Sequence, residues 1–230
     1  MTKIFCDIAD KNQIRKFNKK SIVKGFTTNP SLMRKAGAKN YKLYCKDILK
    51  ITKKPVSFEV FADDEKNMYN QGIAINSWGK NVFVKIPITN SKGIFMKKVI
   101  QNLNNKGIKL NITAVYSANQ TKKILKIINK KTRVIISIFA GRMADVGKDP
   151  ILEIKKSINL SKKYKNVEIL WASTREPYNF LQAKNLQCNI ITVPPQIIEK
   201  IEKFGKTFYQ LTVDTVKGFL VDSKKSNFRI

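Results

Sequence analysis

Short apolar runs rich in β-branched residues recur along the chain at intervals of roughly 25 to 30 residues, and lysine-rich segments with helical spacing fill the intervals. The runs are KIFCDIA (3–9), VKGFTTN (23–29), PVSFEVF (55–61), NVFVKIP (81–87), KLNITAV (109–115), RVIISIF (133–139), EILWAST (168–174) and NIITVPP (189–195). The spacing predicts helices over 31–50, 64–78, 93–105, 118–129, 150–164, 176–186 and 195–203, with a last helix over about 212–225. Asn29 before Pro30, Asp149 before Pro150 and Glu176 before Pro177 are start signals for three of them. Eight successive βα units without hairpin chemistry predict an α/β fold, a (β/α)8 TIM barrel, as one domain over 1–230. The alternative, an open doubly wound sheet, calls for a glycine-rich phosphate loop after the first strand, and DKNQIRK there contains no glycine.

In a barrel the active site lies at the C-terminal strand ends, and polar residues interrupt the apolar runs at those ends. Asp7, then Thr27, Thr28 and Asn29, then Glu59, Lys85, Asn111, Thr113, Ser137, Ser173 and the following Arg142 and Arg175 are the interruptions. Side chains two apart share a strand face, so Asn111 with Thr113, Ser137 with Phe139, and Ser173 with Arg175 point the same way. Lys85 is set among Val82, Phe83, Val84, Ile86 and Ile88 with no acid near it in sequence. A snorkelling lysine and a buried, unpaired amine poised for a Schiff base both fit that setting. On the second reading Asp7 and Glu59, with different flanks, are the proton-transfer pair.

Composition narrows the chemistry further. The chain of 230 residues has a formal net charge of +29 and no histidine, so acid–base steps fall to carboxylate, lysine, tyrosine, thiol or water. Such a charge attracts polyanions, and a basic nucleic-acid-binding protein is the non-enzymatic alternative. Lysine is spread over every predicted helix, together with abundant Asn and Ile, as drift in an A/T-rich genome would produce. Against that background the six arginines stand out, and Arg142 and Arg175 follow the sixth and seventh strands, where a bidentate fork suits a phosphate. Cys6, Cys45 and Cys188 have neither disulfide nor metal-site spacing, so no metal is expected. The absence of an 18-residue apolar run and of a signal-peptide pattern predicts a cytoplasmic protein with no membrane partner.

Eight landmarks in order, CDIAD, GFTTNPSL, VSFEV, VFVKIPIT, GIKLNITAVYSANQ, SIFAGRMADVGKDP, ASTREP and ITVPPQII, resemble the transaldolase family, and by length its small single-barrel subgroup. The resemblance implies a class I, metal-free and cofactor-free transferase of the pentose phosphate pathway. It implies transfer of a dihydroxyacetone unit from sedoheptulose 7-phosphate to glyceraldehyde 3-phosphate, giving erythrose 4-phosphate and fructose 6-phosphate. Carried over by motif, Lys85 would form the Schiff base and Asp7 would exchange the proton of the C4 hydroxyl. Glu59 and Thr113 would position a water. Asn29, with Thr28 beside it, and Asn111 would bind the dihydroxyacetone part, Ser137, Phe139 and Ser173 would line the pocket, and Arg142 and Arg175 would bind phosphate. The related fructose 6-phosphate aldolase type is associated with Gln at the Glu59 position and Tyr at the Phe139 position. Ring-built homo-oligomers, commonly decamers, occur in the subgroup.

Overall fold

In a computed structural model, which describes residues 1–226, eight parallel strands close into a barrel in sequence order. They are β1 (Lys3–Asp7), β2 (Val23–Thr27), β3 (Val56–Glu59), β4 (Val82–Pro87), β5 (Leu110–Val115), β6 (Val134–Phe139), β7 (Val167–Ala172) and β8 (Ile190–Val193). All eight predicted strands are present. Positions 227–230, the end of the predicted domain, lie outside the described residues. Among the described residues no helix is long and apolar enough to cross a membrane.

The surrounding helices are α1 (Lys11–Asn18), α2 (Pro30–Lys35), α3 (Tyr41–Ile51), α4 (Glu65–Asn76), α5 (Lys97–Asn105), α6 (Ala118–Leu125), α7 (Ala140–Ala144), α8 (Ile151–Ser161), α9 (Tyr178–Asn185), α10 (Pro195–Ile201) and α11 (Phe208–Ser226). Local chemistry sets their starts. The Asn29 side chain accepts from the Leu32 N–H and Pro30 follows at the first turn, as the sequence predicts, while Ser117 and Gln120 form a reciprocal capping box on α6.

Three features depart from the sequence expectation. The predicted helix 31–50 is two helices, because Gly37 takes φ of 74° just after α2 and Asn40 caps a fresh start at α3. Helix α5 begins at Lys97 rather than 93, because residues 89–96 first fold back through a Thr89–Phe95 bridge. Helices α1 and α7 were not anticipated; α1 is short but buries Ile14 and Phe17 on one face.

Alternation then divides the side chains between two cores. Outward-facing strand residues such as Val84, Ile86 and Trp171 pack under the helices. Inside the barrel Phe5, Phe83, Ile135, Leu170 and Ile190 form a separate apolar cluster, the floor on which the polar side chains stand. Gly25 makes room for it, since a Cβ there would lie 2.6 Å from the Phe5 ring. Gly25→Ala is expected to lower stability by about 1 to 3 kcal/mol through overpacking, whereas Gly218→Ala in α11, with open space around its Cβ, gains up to about 1 kcal/mol of helix propensity. Urea unfolding of both variants checks the contrast; equal effects would mean that the Phe5 ring does not fill the space at Gly25.

Candidate active site

The polar ends of the strands converge on one cavity of about 340 Å³ at the C-terminal mouth. Of the predicted residues, Asp7, Asn29, Lys85, Asn111, Thr113, Ser137, Phe139, Arg142, Ser173 and Arg175 line it. Its wall also includes Thr27, Ala172, Thr174, Thr192 and Pro194. Glu59 and Thr28 are set behind Lys85 rather than on the wall, and each holds the lysine from there.

Lys85 is not an unpaired amine. Parallel register places Glu59 directly opposite Lys85 on the neighbouring strand, and the Lys85 Nζ lies 3.0 Å from Glu59 Oε2. The Nζ also donates to the Thr28 main-chain carbonyl at 3.1 Å. With 9% and 17% of the two side chains exposed, the pair is largely withdrawn from water. Each charge there stabilises a partner that would otherwise be costly to bury. The expected substrate-binding role of the Thr28 side chain does not match its position: its hydroxyl is buried and donates to the Ser57 carbonyl at 2.8 Å. Alternation sends Thr28 outward when Thr27 faces in.

On the far side of the lysine, Asp7 accepts from the Thr27 hydroxyl at 2.6 Å, and Thr27 in turn meets Thr192 Oγ1 at 2.5 Å. Burial raises the Asp7 carboxyl above its ordinary range; the Lys85 ammonium and the Thr27 hydroxyl pull it back, and the Glu59 charge adds to the rise. Opposite, Ser137 donates to Asn111 Oδ1 at 2.7 Å and Asn111 Nδ2 donates to Ser57 Oγ at 3.0 Å. That chain fixes the amide orientation at the register partner of Lys85. Thr113, one alternation further up, is buried with its hydroxyl unpartnered among the described residues, a free polar group on the cavity wall.

The mouth is built differently. Ser173 follows β7 in the left-handed region, φ 63°, and its carbonyl approaches Gly141 so closely that a Cβ there would lie 1.7 Å away. Arg175 donates to that carbonyl at 3.2 Å and grips Asp145 with two guanidinium nitrogens, one at 2.9 Å. The Arg175 guanidinium holds the Asp145 carboxyl below the usual carboxylate range. Arg142 stands over the Phe139 ring, 5.7 Å from its centroid. The mouth therefore already holds one anion on an arginine, the Asp145 carboxylate on Arg175.

Sequence reasoning passed over Ser57, Thr192 and Asp145 as site residues. Ser57 and Thr192 carry the same signal as the others, being inward positions on β3 and β8. Asp145 carries none, because its link to Arg175 spans 30 residues. The three cysteines are buried and free, and burial pushes the Cys45 and Cys188 thiols up to about 12, which keeps them protonated. Among the described residues no group of three or more His, Cys, Asp or Glu is gathered that could hold a metal ion.

Compared with known families, the chain matches the family model described as transaldolase/fructose-6-phosphate aldolase over residues 4–230. The chain belongs to this family. A probable transaldolase of Nitrosopumilus maritimus is 35% identical over 225 residues, covering 97% of this chain and 95% of that protein. One from Methanococcus maripaludis is 34% identical over 221 residues, with 96% of each covered. A solved structure of a mandelate oxidase mutant superposes with a TM-score of 0.58 at 10% identity, over 83% of this chain and 64% of that one, which speaks to the barrel fold alone.

The raised pKa of Asp7 has a thermodynamic signature that can be read without substrate. Because the folded pKa of Asp7 is raised, the folded state binds its proton more tightly than the unfolded chain. Stability from this group is thus present below the ordinary carboxylate range and lost as pH rises through the folded value. Asp7→Asn, which keeps an acceptor for Thr27, is expected to match wild type in stability below the ordinary carboxylate range and to exceed it increasingly as pH rises above that range. Urea unfolding across that range measures the difference, and a gap that does not widen with pH would refute the assignment.

Proposed function

We propose that the protein is a transaldolase that transfers a dihydroxyacetone unit from sedoheptulose 7-phosphate to glyceraldehyde 3-phosphate through a Schiff base on Lys85. The observation that carries the reading is the Lys85–Glu59 pair at 3.0 Å with Asp7 on the same cavity. Glu59 accepts a proton from the Lys85 ammonium, and the freed amine attacks the ketose C2 carbonyl. The carbinolamine loses water to give a protonated imine, with Glu59 and the Thr113 hydroxyl serving the water that leaves.

The imine's positive charge beside Asp7 favours the carboxylate form, which then takes the proton of the C4 hydroxyl. The C3–C4 bond breaks, its electrons flow into the iminium to form an enamine, and erythrose 4-phosphate departs as the aldehyde. The enamine carbon attacks the acceptor aldehyde, Asp7 returns the proton to the new alkoxide, and water releases fructose 6-phosphate. Asn111, held by Ser137 and Ser57, and Asn29 bind the dihydroxyacetone hydroxyls, while Ser173 and Phe139 shape the wall. Arg142 and Arg175 take the phosphate, for which Asp145 holds the place.

Glu59 and Phe139, as opposed to Gln and Tyr, favour transfer over simple aldol cleavage. We place the enzyme in the cytoplasm, with sugar phosphates rather than nucleic acids or membranes as its partners. We also propose a homo-oligomer: α11 buries none of its residues and exposes Phe208, Phe219 and Leu220.

Borohydride reduction with fructose 6-phosphate is expected to leave a sugar adduct on the Lys85 peptide of the wild type and none on Lys85→Ala, by mass spectrometry. Arg142→Ala and Arg175→Ala are each expected to weaken phosphorylated donors by about tenfold or more, the scale of a lost charge-assisted pair. A folded wild type that traps no sugar, or arginine variants with unchanged KM, would argue against the reading.

A further inference from the structure

The end of β3 has an unusual anchorage. Val56 donates to the Asn81 carbonyl just before β4 and Val60 to the Lys85 carbonyl within it, so by alternation the main chains of Ser57 and Glu59 face β2. The β2 pairing runs Phe26 with Val56 and Thr27 with Ser57, and Thr28 still donates to the Ser57 carbonyl at 3.2 Å. Continued one step, the ladder would send the Glu59 N–H to the Thr28 carbonyl and the Glu59 C=O to residue 30, but the Thr28 carbonyl accepts from Lys85, and Pro30, which has no N–H, opens α2. Glu59 is left at the site with an N–H and a C=O that no strand satisfies.

A single phenol fills both places. Tyr41, the first residue of α3, donates its hydroxyl to the Glu59 carbonyl at 2.9 Å and accepts from the Glu59 N–H at 3.0 Å. Its ring is wedged edge-on against Phe61 at 5.0 Å and Trp78 at 5.7 Å. Burial raises the phenol well above its ordinary pKa, so the proton it donates is always present. With both backbone groups of Glu59 fixed, its Cα–Cβ direction is fixed too, and the carboxylate is carried to Lys85.

We propose that Tyr41 is a positioning residue that acts through Glu59, standing in for the missing rung of β2 and thereby setting the Glu59–Lys85 distance. The mechanistic consequence rests on the transaldolase reading; the geometric one does not. Tyr41→Phe keeps the ring in its aromatic wedge and removes only the hydroxyl. Tyr44→Phe is the control: its hydroxyl lies on the same helix and caps the Ala9 and Ala36 carbonyls at 3.2 and 3.3 Å, away from Glu59.

The experiment measures Lys85 labelling by a neutral acylating reagent without sugar, together with kcat, KM and melting temperature. The proteins are wild type, Tyr41→Phe, Tyr44→Phe, Glu59→Gln and the Tyr41→Phe/Glu59→Gln double variant. The expected result is a severalfold change in Lys85 labelling and a fall in kcat of about tenfold for Tyr41→Phe, with KM within about twofold. Tyr44→Phe loses melting temperature alone. In the Glu59→Gln background Tyr41→Phe adds little, because the group it positions is gone. Labelling like wild type, or an undiminished effect of Tyr41→Phe on top of Glu59→Gln, overturns the proposal. If wild type forms no sugar adduct, the transaldolase reading fails, and the labelling comparison still decides the role of Tyr41.

Discussion

The pairing of Lys85 with Glu59 inside the barrel is the constraint around which the rest is arranged. Two opposite charges at 3.0 Å, both largely out of water, stabilise each other only while neither moves far. The β3–β4 register supplies that fixity from below. The apolar floor of Phe5, Phe83 and Leu170 keeps water from reaching the pair from the other end. One cation then has two acids to serve, and only one of them is close. Asp7 is left to bear the cost of burial with a hydroxyl and a more distant ammonium, and its raised pKa is the result. The same arrangement thus produces a paired acid and an acid of raised pKa within one layer of side chains.

How much of this the sequence reveals follows from which physical period controls each feature. Alternation belongs to a single strand, so Asn111 with Thr113 and Ser137 with Phe139 are legible as inward pairs and do line the cavity. The same rule covers Ser57 and Thr192; they escape notice because a lone strand Ser or Thr is ordinary. It also shows why Thr28, adjacent to Thr27, faces away. Register is a property of two strands and the barrel's stagger, so the partner of Lys85, 26 positions earlier, is invisible without the fold. Helix breaks are local, and Gly37 in GAKN is the signal that 31–50 is two helices.

The mouth obeys different physics from the interior. Arg175 and Asp145 are about half exposed, so their attraction is screened and exchange of one anion for another costs little. What is rigid there is the backbone: Ser173 in the left-handed region fits only because Gly141 has no side chain where the carbonyl passes. That strain fixes where the Arg175 main chain leaves β7 while leaving its long side chain free to change partners.

These two regimes suit two tasks. The covalent step proposed for Lys85 depends on close placement of proton donors and acceptors, which a largely buried layer of hydrogen-bonded side chains provides. Capture and release of a phosphorylated sugar depends on contacts that form and break quickly, which exposed arginines provide. A chain with +29 net charge has attraction for phosphate everywhere on its surface. Geometry, rather than charge, must therefore distinguish the site, and the geometry is that of two planar guanidinium groups at the rim of a cavity lined deeper by Lys85 and Asp7.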